Sequence, residues 1–190
     1  MEIPQALIAA CIEQDRRAQS ELYQHCFGLL MGICMRYLKQ EEEAVAVLNK
    51  GFLKILNSLE NRNPNAPMEA WLRRVMINTV IDEYRSQKRY REQFVVEDFS
   101  DYQPYGDYLD YNEADRRLDA GEIEAMIQRL PEVSRQVFNL YAIDGYSHKE
   151  IAGMMNISVG TSKWHVSFAR SKLKGWIAQQ VNRSENISYE

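Results

Sequence analysis

Apolar residues at helical spacing dominate the first 90 residues of the chain, and they constrain the fold more than any other feature. Four stripes of such residues recur at intervals of three and four, which is the pattern of helices that bury one face. No segment alternates convincingly between apolar and polar residues, as a half-buried strand does. The stripes comprise Ile8, Cys11 and Ile12; Leu22, Tyr23, Phe27, Leu30, Met31, Cys34 and Leu38; Ala44, Val47, Leu48, Phe52, Ile55, Leu56 and Leu59; and Trp71, Leu72, Val75, Val80, Ile81 and Tyr84. This part of the chain is therefore predicted to be an all-α bundle.

Charge is distributed unevenly along the chain. The net charge is -4, but residues 71–91 carry +4 and residues 145–176 also carry +4. Residues 95–124, which lie between these two basic segments, carry -8. From about Phe94 this acidic segment has no sustained apolar face, so we interpret it as a flexible linker between two basic segments. Its tyrosines at 102, 105, 108 and 111 fit either a stacking surface for nucleic acid or simple docking on a neighbouring domain, and the second is favoured.

Helical spacing resumes near residue 120 and leads to two short helices around a turn. Pro131 favours the start of one helix, Gly145 favours its end, and Ser147 and Ser158 are suited to cap the next two. The small residue Ala152 permits the close helix crossing of a helix-turn-helix. In that motif the first turns of the second helix enter the major groove. These turns run from Val159 to His165, where Trp164 either stacks on DNA or packs beneath the helix, with a core position or partial burial favoured.

The basic helix from Ala70 to Arg91 is a second predicted DNA-binding element. Arg74, Asn78, Asp82 and Arg85 fall on one helical face opposite the apolar residues. Such a stripe is also typical of a solvated face with ordinary surface ion pairs. The cations that follow Asp82 favour contact with DNA.

Several classes of function are disfavoured by the composition. The chain has no Gly-rich phosphate loop and only three histidines, so we predict neither an enzyme nor a cofactor. The three cysteines lie among apolar neighbours without metal-ligand spacing, so no metal site is predicted beside His25. No leader opens the sequence and no apolar run is long enough to span a bilayer. A cytoplasmic protein without direct membrane insertion is expected.

With these parts in this order, the chain resembles the bacterial RNA polymerase sigma factors of the sigma-70 family, in the small extracytoplasmic-function (ECF) group. The segments "ELYQHCFGLLMGICMRYL", "GFLKILNSL" and "AWLRRVMINTVIDEYR" resemble region 2, and the segment from Leu130 to Ile177 resembles region 4. The resemblance implies region 2 in residues 1–93, a linker in 94–119, region 4 in 120–180 and a tail in 181–190. It also implies an all-α fold of two small helical domains.

The resemblance further implies binding to the core polymerase through the β′ clamp helices and the β flap, recognition of promoter DNA and control by an anti-sigma factor. Region 2 would recognise and melt the minus-10 element, with a flipped base captured by the loop at residues 61–67. Region 4 would recognise the minus-35 element. The implied minus-10 residues are Asn61, Asn63, Asn65, Arg74, Asn78, Asp82, Arg85 and Lys88. The implied minus-35 residues are Ser147, Thr161, Ser162, Lys163, Trp164, His165 and Arg170.

The implied polymerase-binding residues are Val45, Leu48, Asn49 and Phe52, and this chain departs from the family pattern there. Val45 and Ala46 replace two acids, Asn49 replaces a glutamine, and Lys50 replaces a common acid. Binding to polymerase is therefore expected to be weaker or to use the acids in residues 40–43. Two alternatives stay open: a stand-alone helix-turn-helix regulator, and a polymerase-binding regulator without promoter activity.

Overall fold

The computed structural model describes residues 3–92 and 120–187, and the side chains within 3–87 and 121–180. The chain divides into two helical units, unit 1 within Met1–Val96 and unit 2 within Glu97–Glu190. All regular secondary structure in the described ranges is helical, which confirms the predicted fold class. The predicted linker, with its four tyrosines, lies outside the described residues.

Within residues 3–92, unit 1 is a bundle of four helices, and three of them begin near a recognisable signal in the sequence. Asp15 precedes the second helix, and its carboxylate accepts a hydrogen bond from the Ala18 N–H at 2.8 Å, as an N-cap residue does. Three glutamates occupy the first turn of the third helix, where the helix dipole favours acids. The fourth helix begins directly after Pro67, a residue type that favours the start of a helix. The helices are α1 (Gln5–Ile12), α2 (Arg16–Tyr37), α3 (Glu41–Ser58) and α4 (Met68–Glu92).

The core of unit 1 lies where α2, α3 and α4 pack against one another. Met76 occupies its centre, and its Sδ accepts a hydrogen bond from the Cys34 thiol at 3.5 Å. Gly51 of α3 permits this packing, because a Cβ there would lie within 2.5 Å of the Met76 methyl group. Two residues of the predicted stripes, Ile12 and Phe27, are instead exposed, because the apolar stripes are wider than the faces that become covered.

Residues 120–187, the described part of unit 2, contain four helices and one π-helical turn. The helix predicted between Pro131 and Gly145 is not a continuous α-helix. Its α-helical part ends at Phe138 and widens into a π-helical turn, where the Asp144 N–H donates to the Asn139 carbonyl at 2.9 Å. The last helix continues into the segment predicted as a tail. The elements are α5 (Ala120–Gln128), α6 (Glu132–Phe138), the π-helical turn (Asn139–Ile143), α7 (His148–Met155) and α8 (Val159–Ile187).

The helices α7 and α8 form the predicted helix-turn-helix. Ser147 and Glu150 make a complete capping box at the start of α7, which satisfies two backbone donors reciprocally. Asn156 ends α7 in the left-handed conformation at φ 54°, a conformation that asparagine tolerates better than most residues. Gly145 has a φ of +77° before Ser147. Ile151 and Met155 of α7 and Val166 of α8 are buried, and the two helices pack against each other.

Candidate nucleic-acid interface

The outward face of α8 carries the cations that the sequence assigns to DNA. Lys163, Arg170 and Lys174 are exposed, and they fall close together around the helix because successive residues are rotated by about 100°. The Arg170 guanidinium also lies 5.5 Å from the centre of the Tyr141 ring, which positions this cation from the π-helical turn. Lys163 and Arg170 are thus available to contact phosphates.

The family resemblance implies that Ser162 contacts DNA. This prediction is wrong, because the Ser162 side chain is 0% exposed. It faces α7, and its hydroxyl lies 3.0 Å from His148 Nδ1. A serine in a sequence gives no sign of this burial, because a small hydroxyl residue suits either a groove contact or a hydrogen-bonded core position. Ser162 is therefore part of the helix-helix contact.

His148 connects α7, α8 and the π-helical turn. Its ring stacks on Tyr141 with 4.4 Å between centroids. Partial burial lowers the pKa of His148, and the nearby cations Lys163 and Arg170 lower it further. Together with Arg170, the histidine lines an open depression of about 690 Å³ on the surface of unit 2. The imidazole is thus held largely neutral beside the cationic face.

Three other residues of the predicted minus-35 set already have partners within unit 2. Ser147 donates its hydroxyl hydrogen to Glu150 at 2.7 Å. The Thr161 N–H donates to Ser158 Oγ at 2.9 Å, and the two hydroxyls lie 2.8 Å apart. His165 is half-buried, with Nδ1 2.9 Å from the Ser134 hydroxyl. These contacts fix the start of each helix and the approach of α6.

Trp164 is half-buried and stacks on Phe168, with 5.2 Å between ring centroids and 16° between planes. Partial burial is the outcome favoured from the sequence. Phe168 is not among the residues that the sequence singles out, although its position one helical turn after Trp164 is the signal that could have identified the pair.

The predicted polar stripe of α4 is present in unit 1. Arg74, Asn78 and Asp82 are exposed, and Arg85 is half-exposed. Asp82 also forms an ion pair with Lys54 at 3.0 Å, which is one of the ordinary surface pairs considered above. The Lys88 side chain lies outside the described residues. The stripe therefore offers arginines and an amide on one accessible face.

The loop between α3 and α4 exposes all three predicted asparagines, Asn61, Asn63 and Asn65. Arg62 fixes the loop by donating to the carbonyls of Asn63 and Ala66 at 3.1 and 2.8 Å. The Asn63 side chain accepts from the Asn65 N–H at 3.0 Å, so it shapes the turn. The amides of Asn61 and Asn65 are exposed for contact with a base.

The family resemblance places Leu48 and Phe52 on the polymerase-binding surface, and this prediction is wrong. Leu48 is 0% exposed and Phe52 is 7% exposed, because both face the contact between α2 and α3. Phe52 also meets the Tyr23 ring edge-on at 4.9 Å. Both residues belong to the core that supports the surface.

The outward face of α3 carries a different set of residues. Val45 is half-buried, Ala46 and Asn49 are exposed, and the Asn49 side chain accepts from the Tyr23 hydroxyl at 3.0 Å. Leu53, which the sequence analysis does not single out, is 60% exposed one turn after Asn49. Because Leu53 lies within an apolar run, the sequence gives no indication that its side chain is exposed. From Val45 to Leu53 the face is thus neutral and partly apolar, and the exposed acid Glu42 precedes it by one turn.

The described residues contain no cluster of three or more metal-ligating side chains. His25 Nδ1 instead lies 2.9 Å from the Glu21 carbonyl on its own helix. All three cysteines are buried. Within the same described residues, no helix is both long and apolar enough to cross a membrane.

Comparisons with known proteins agree with this architecture. A model of sigma-70 region 2 matches residues 22–90, and a model of sigma-70 region 4 matches residues 120–173. The RNA polymerase sigma-H factor of Pseudomonas aeruginosa is 28% identical over 90% of this chain and 92% of its own length. The ECF RNA polymerase sigma-E factor of Haemophilus influenzae is 25% identical over 91% of this chain and 94% of its own.

One solved structure is that of the sigma factor RpoE in complex with the anti-sigma factor NepR from Bartonella quintana. It is similar to this chain with a TM-score of 0.50 and 18% identity, over 84% of this chain and 96% of that one. This similarity bears on the fold alone.

Proposed function

The chain belongs to the ECF group of the sigma-70 family, and we propose that its two helical units divide promoter recognition between them. As a member of that family, it binds RNA polymerase and directs it to promoter DNA. The occurrence of both region models in one chain, each over one helical unit, is the observation that carries the proposal. The polymerase supplies the chemistry, so the chain has no catalytic step of its own and acts in the cytoplasm with the polymerase.

Unit 1 is assigned to the minus-10 element. The exposed amides of Asn61 and Asn65 lie in a loop fixed by Arg62, and a fixed loop orients donors and acceptors for a flipped base without further ordering. Arg74 and Asn78 on α4 then contact the neighbouring backbone and bases. Because phosphate contacts release counterions, binding through Arg74 should weaken steeply with salt.

Unit 2 is assigned to the minus-35 element. Lys163 lies in the second turn of α8 and is exposed, which is where a recognition helix meets the major groove. Arg170 follows two turns later, positioned by Tyr141. The helix α5, which packs against Ala169 and Leu173 of α8, is assigned to the β flap of the polymerase.

The outward face of α3 is assigned to the β′ clamp helices of the polymerase. Because Leu48 and Phe52 are buried, the contacting residues are Val45, Asn49 and Leu53. An anti-sigma factor is proposed as a further partner, because the RpoE structure similar to this chain is a complex with one.

Run-off transcription on fragmented genomic DNA, with bacterial core polymerase and the purified chain, tests the proposal. Discrete new starts that share two upstream motifs are expected. Specific duplex binding by the chain alone, with neither transcripts nor polymerase binding, would indicate a stand-alone regulator instead. Polymerase binding without promoter opening would indicate a regulator that lacks promoter activity.

Two variants of α4 provide a matched pair for the same assay. Arg74→Ala should reduce transcription and lower the dependence of promoter binding on salt by about one phosphate contact. Arg73→Ala removes the same charge from the adjacent position, where the guanidinium is paired with Glu69 at 2.8 Å, and should leave transcription nearly unchanged. Equal effects of the two variants would contradict the assignment of the α4 stripe.

A further inference from the structure

The stacked pair Trp164 and Phe168 lies on the side of α8 that faces away from the core of unit 2. Trp164 comes two residues after buried Ser162 and two residues before buried Val166. At about 100° per residue, a step of two residues rotates a side chain by about 200°, so Trp164 points to nearly the opposite side of the helix from both. Phe168 is likewise turned about 200° from Val166. Both rings are half-buried: they stack on each other, and the Trp164 ring also meets the His165 ring edge-on at 4.9 Å between centroids.

Cations border the pair. The Lys172 ammonium lies 5.6 Å from the centre of the Phe168 ring. Lys163 precedes Trp164 and is exposed. An apolar platform bordered by lysines is complementary to a polyanion that also presents apolar groups, and it suits a partner protein with an apolar face less well.

The major groove of B-DNA provides that combination. Thymine is the one base that presents a C5-methyl group there, and apolar side chains contact this methyl. Trp164 lies in the second turn of α8, and the first turns of a recognition helix contact base edges. The two rings are already stacked, so little side-chain freedom remains to be lost when DNA binds.

We propose that Trp164 and Phe168 are specificity-determining residues that contact thymine methyl groups in the upstream promoter element. The inference rests on the proposed function of unit 2 and adds the chemical feature that this unit recognises. It also implies a difference in salt dependence. Removing Lys163 should reduce the salt dependence of binding, whereas removing the aromatic pair should not, because an apolar contact releases no counterions.

Deoxyuridine substitution tests the proposal, because deoxyuridine differs from thymidine only in lacking the methyl group. Each thymine of the upstream element is replaced singly, and promoter binding by reconstituted polymerase is measured. With the wild-type chain, at least one replacement should weaken binding about fourfold, the equivalent of burying one methyl group. With Trp164→Ala or Phe168→Ala, the same replacement should have less than a twofold effect. Replacements in the downstream element should affect wild type and variants equally.

The controls separate folding, polymerase binding and DNA recognition. Phe168→Leu retains an apolar side chain and should keep most of the methyl sensitivity, which a merely misfolded variant would not do. The proposal is overturned if the wild-type chain is insensitive to every upstream replacement, or if the alanine variants bind core polymerase more weakly in the absence of DNA. If the wild-type chain directs no transcription at all, the proposed function fails. The same replacements in duplexes bound by the chain alone then still test the aromatic pair.

Discussion

Replacing Leu48 by alanine should destabilise unit 1 by about 2.5–5 kcal/mol, even though the family resemblance places this residue on the polymerase-binding surface. The side chain is 0% exposed between α2 and α3. Alanine removes three carbon groups that are fully shielded from water, at about 0.8 kcal/mol each. The transfer free energy alone is therefore about 2.4 kcal/mol, and the cavity that remains adds to it.

Leu53→Ala is the matched control on the same helix. Leu53 is 60% exposed, so the same truncation removes less than half of the burial and should cost at most about 1 kcal/mol. The functional effects should be reversed. Leu53→Ala should weaken polymerase binding while the chain stays folded, and Leu48→Ala should weaken it only to the extent that unit 1 unfolds.

Urea unfolding followed by circular dichroism measures the two stabilities, and co-elution with core polymerase measures binding. Under conditions where Leu48→Ala is still mostly folded, its binding should approach the wild-type value. A destabilisation by Leu48→Ala of less than about 1 kcal/mol would refute the packing argument. Weak polymerase binding by a fully folded Leu48→Ala chain would indicate that Leu48 does belong to the polymerase-binding surface.

Three further outcomes are expected. Ser147→Ala removes the capping box of α7 and should cost unit 2 about 1 kcal/mol in urea unfolding, whereas Ser147→Asp should cost less. The pKa of His148 in the folded chain lies below its ordinary value of 6.5, so between these two pKa values the unfolded chain binds more protons than the folded chain. The melting temperature of unit 2 should therefore fall as the pH drops below about 6.5. The variant His148→Gln should not show this decrease. Burial raises the pKa of Cys34 to about 12 and that of Cys26 to about 11. Iodoacetamide at pH 8 should therefore label both cysteines in urea but hardly at all in the folded chain. Rapid labelling of the folded chain would contradict their burial.

Much of the fold could be predicted because the chain marks its helices locally. Apolar spacing locates α2, α3 and α4, and capping residues locate the starts of α7 and α8. These signals depend on a few neighbouring residues, so sequence alone carries them. The π-helical turn at Asn139–Ile143 could not be predicted in this way. A continued α-helix satisfies the same apolar pattern, and the widened turn becomes visible only from the backbone hydrogen bonds.

The candidate site could be predicted less well, because side-chain exposure depends on which face of a helix its neighbours cover. Arg74 and Lys163 are exposed as expected, since long cations are almost never fully buried without a partner. Ser162 and Phe52 have the residue types of their assigned roles but lie in helix contacts. Conversely, Leu53 and Phe168 look like core residues in the sequence and lie on surfaces. Errors therefore concentrate among small polar and large apolar residues.

The unusual residues of α3 have a physical consequence that their sequence alone obscures. Lys50 pairs with Glu83 at 2.8 Å and Lys54 pairs with Asp82 at 3.0 Å, so both cations are directed toward α4. Because these two cations are matched across the helix pair, the outward face from Val45 to Leu53 presents Asn49 and apolar neighbours instead of free charge. The first turn of α3 adds the exposed acids Glu41 and Glu42. Binding through residues 45–53 would then depend on apolar burial and shape, and the salt dependence that acids bring would come from that first turn. The departure from the family pattern thus changes the chemistry of the surface and leaves the helix that carries it intact.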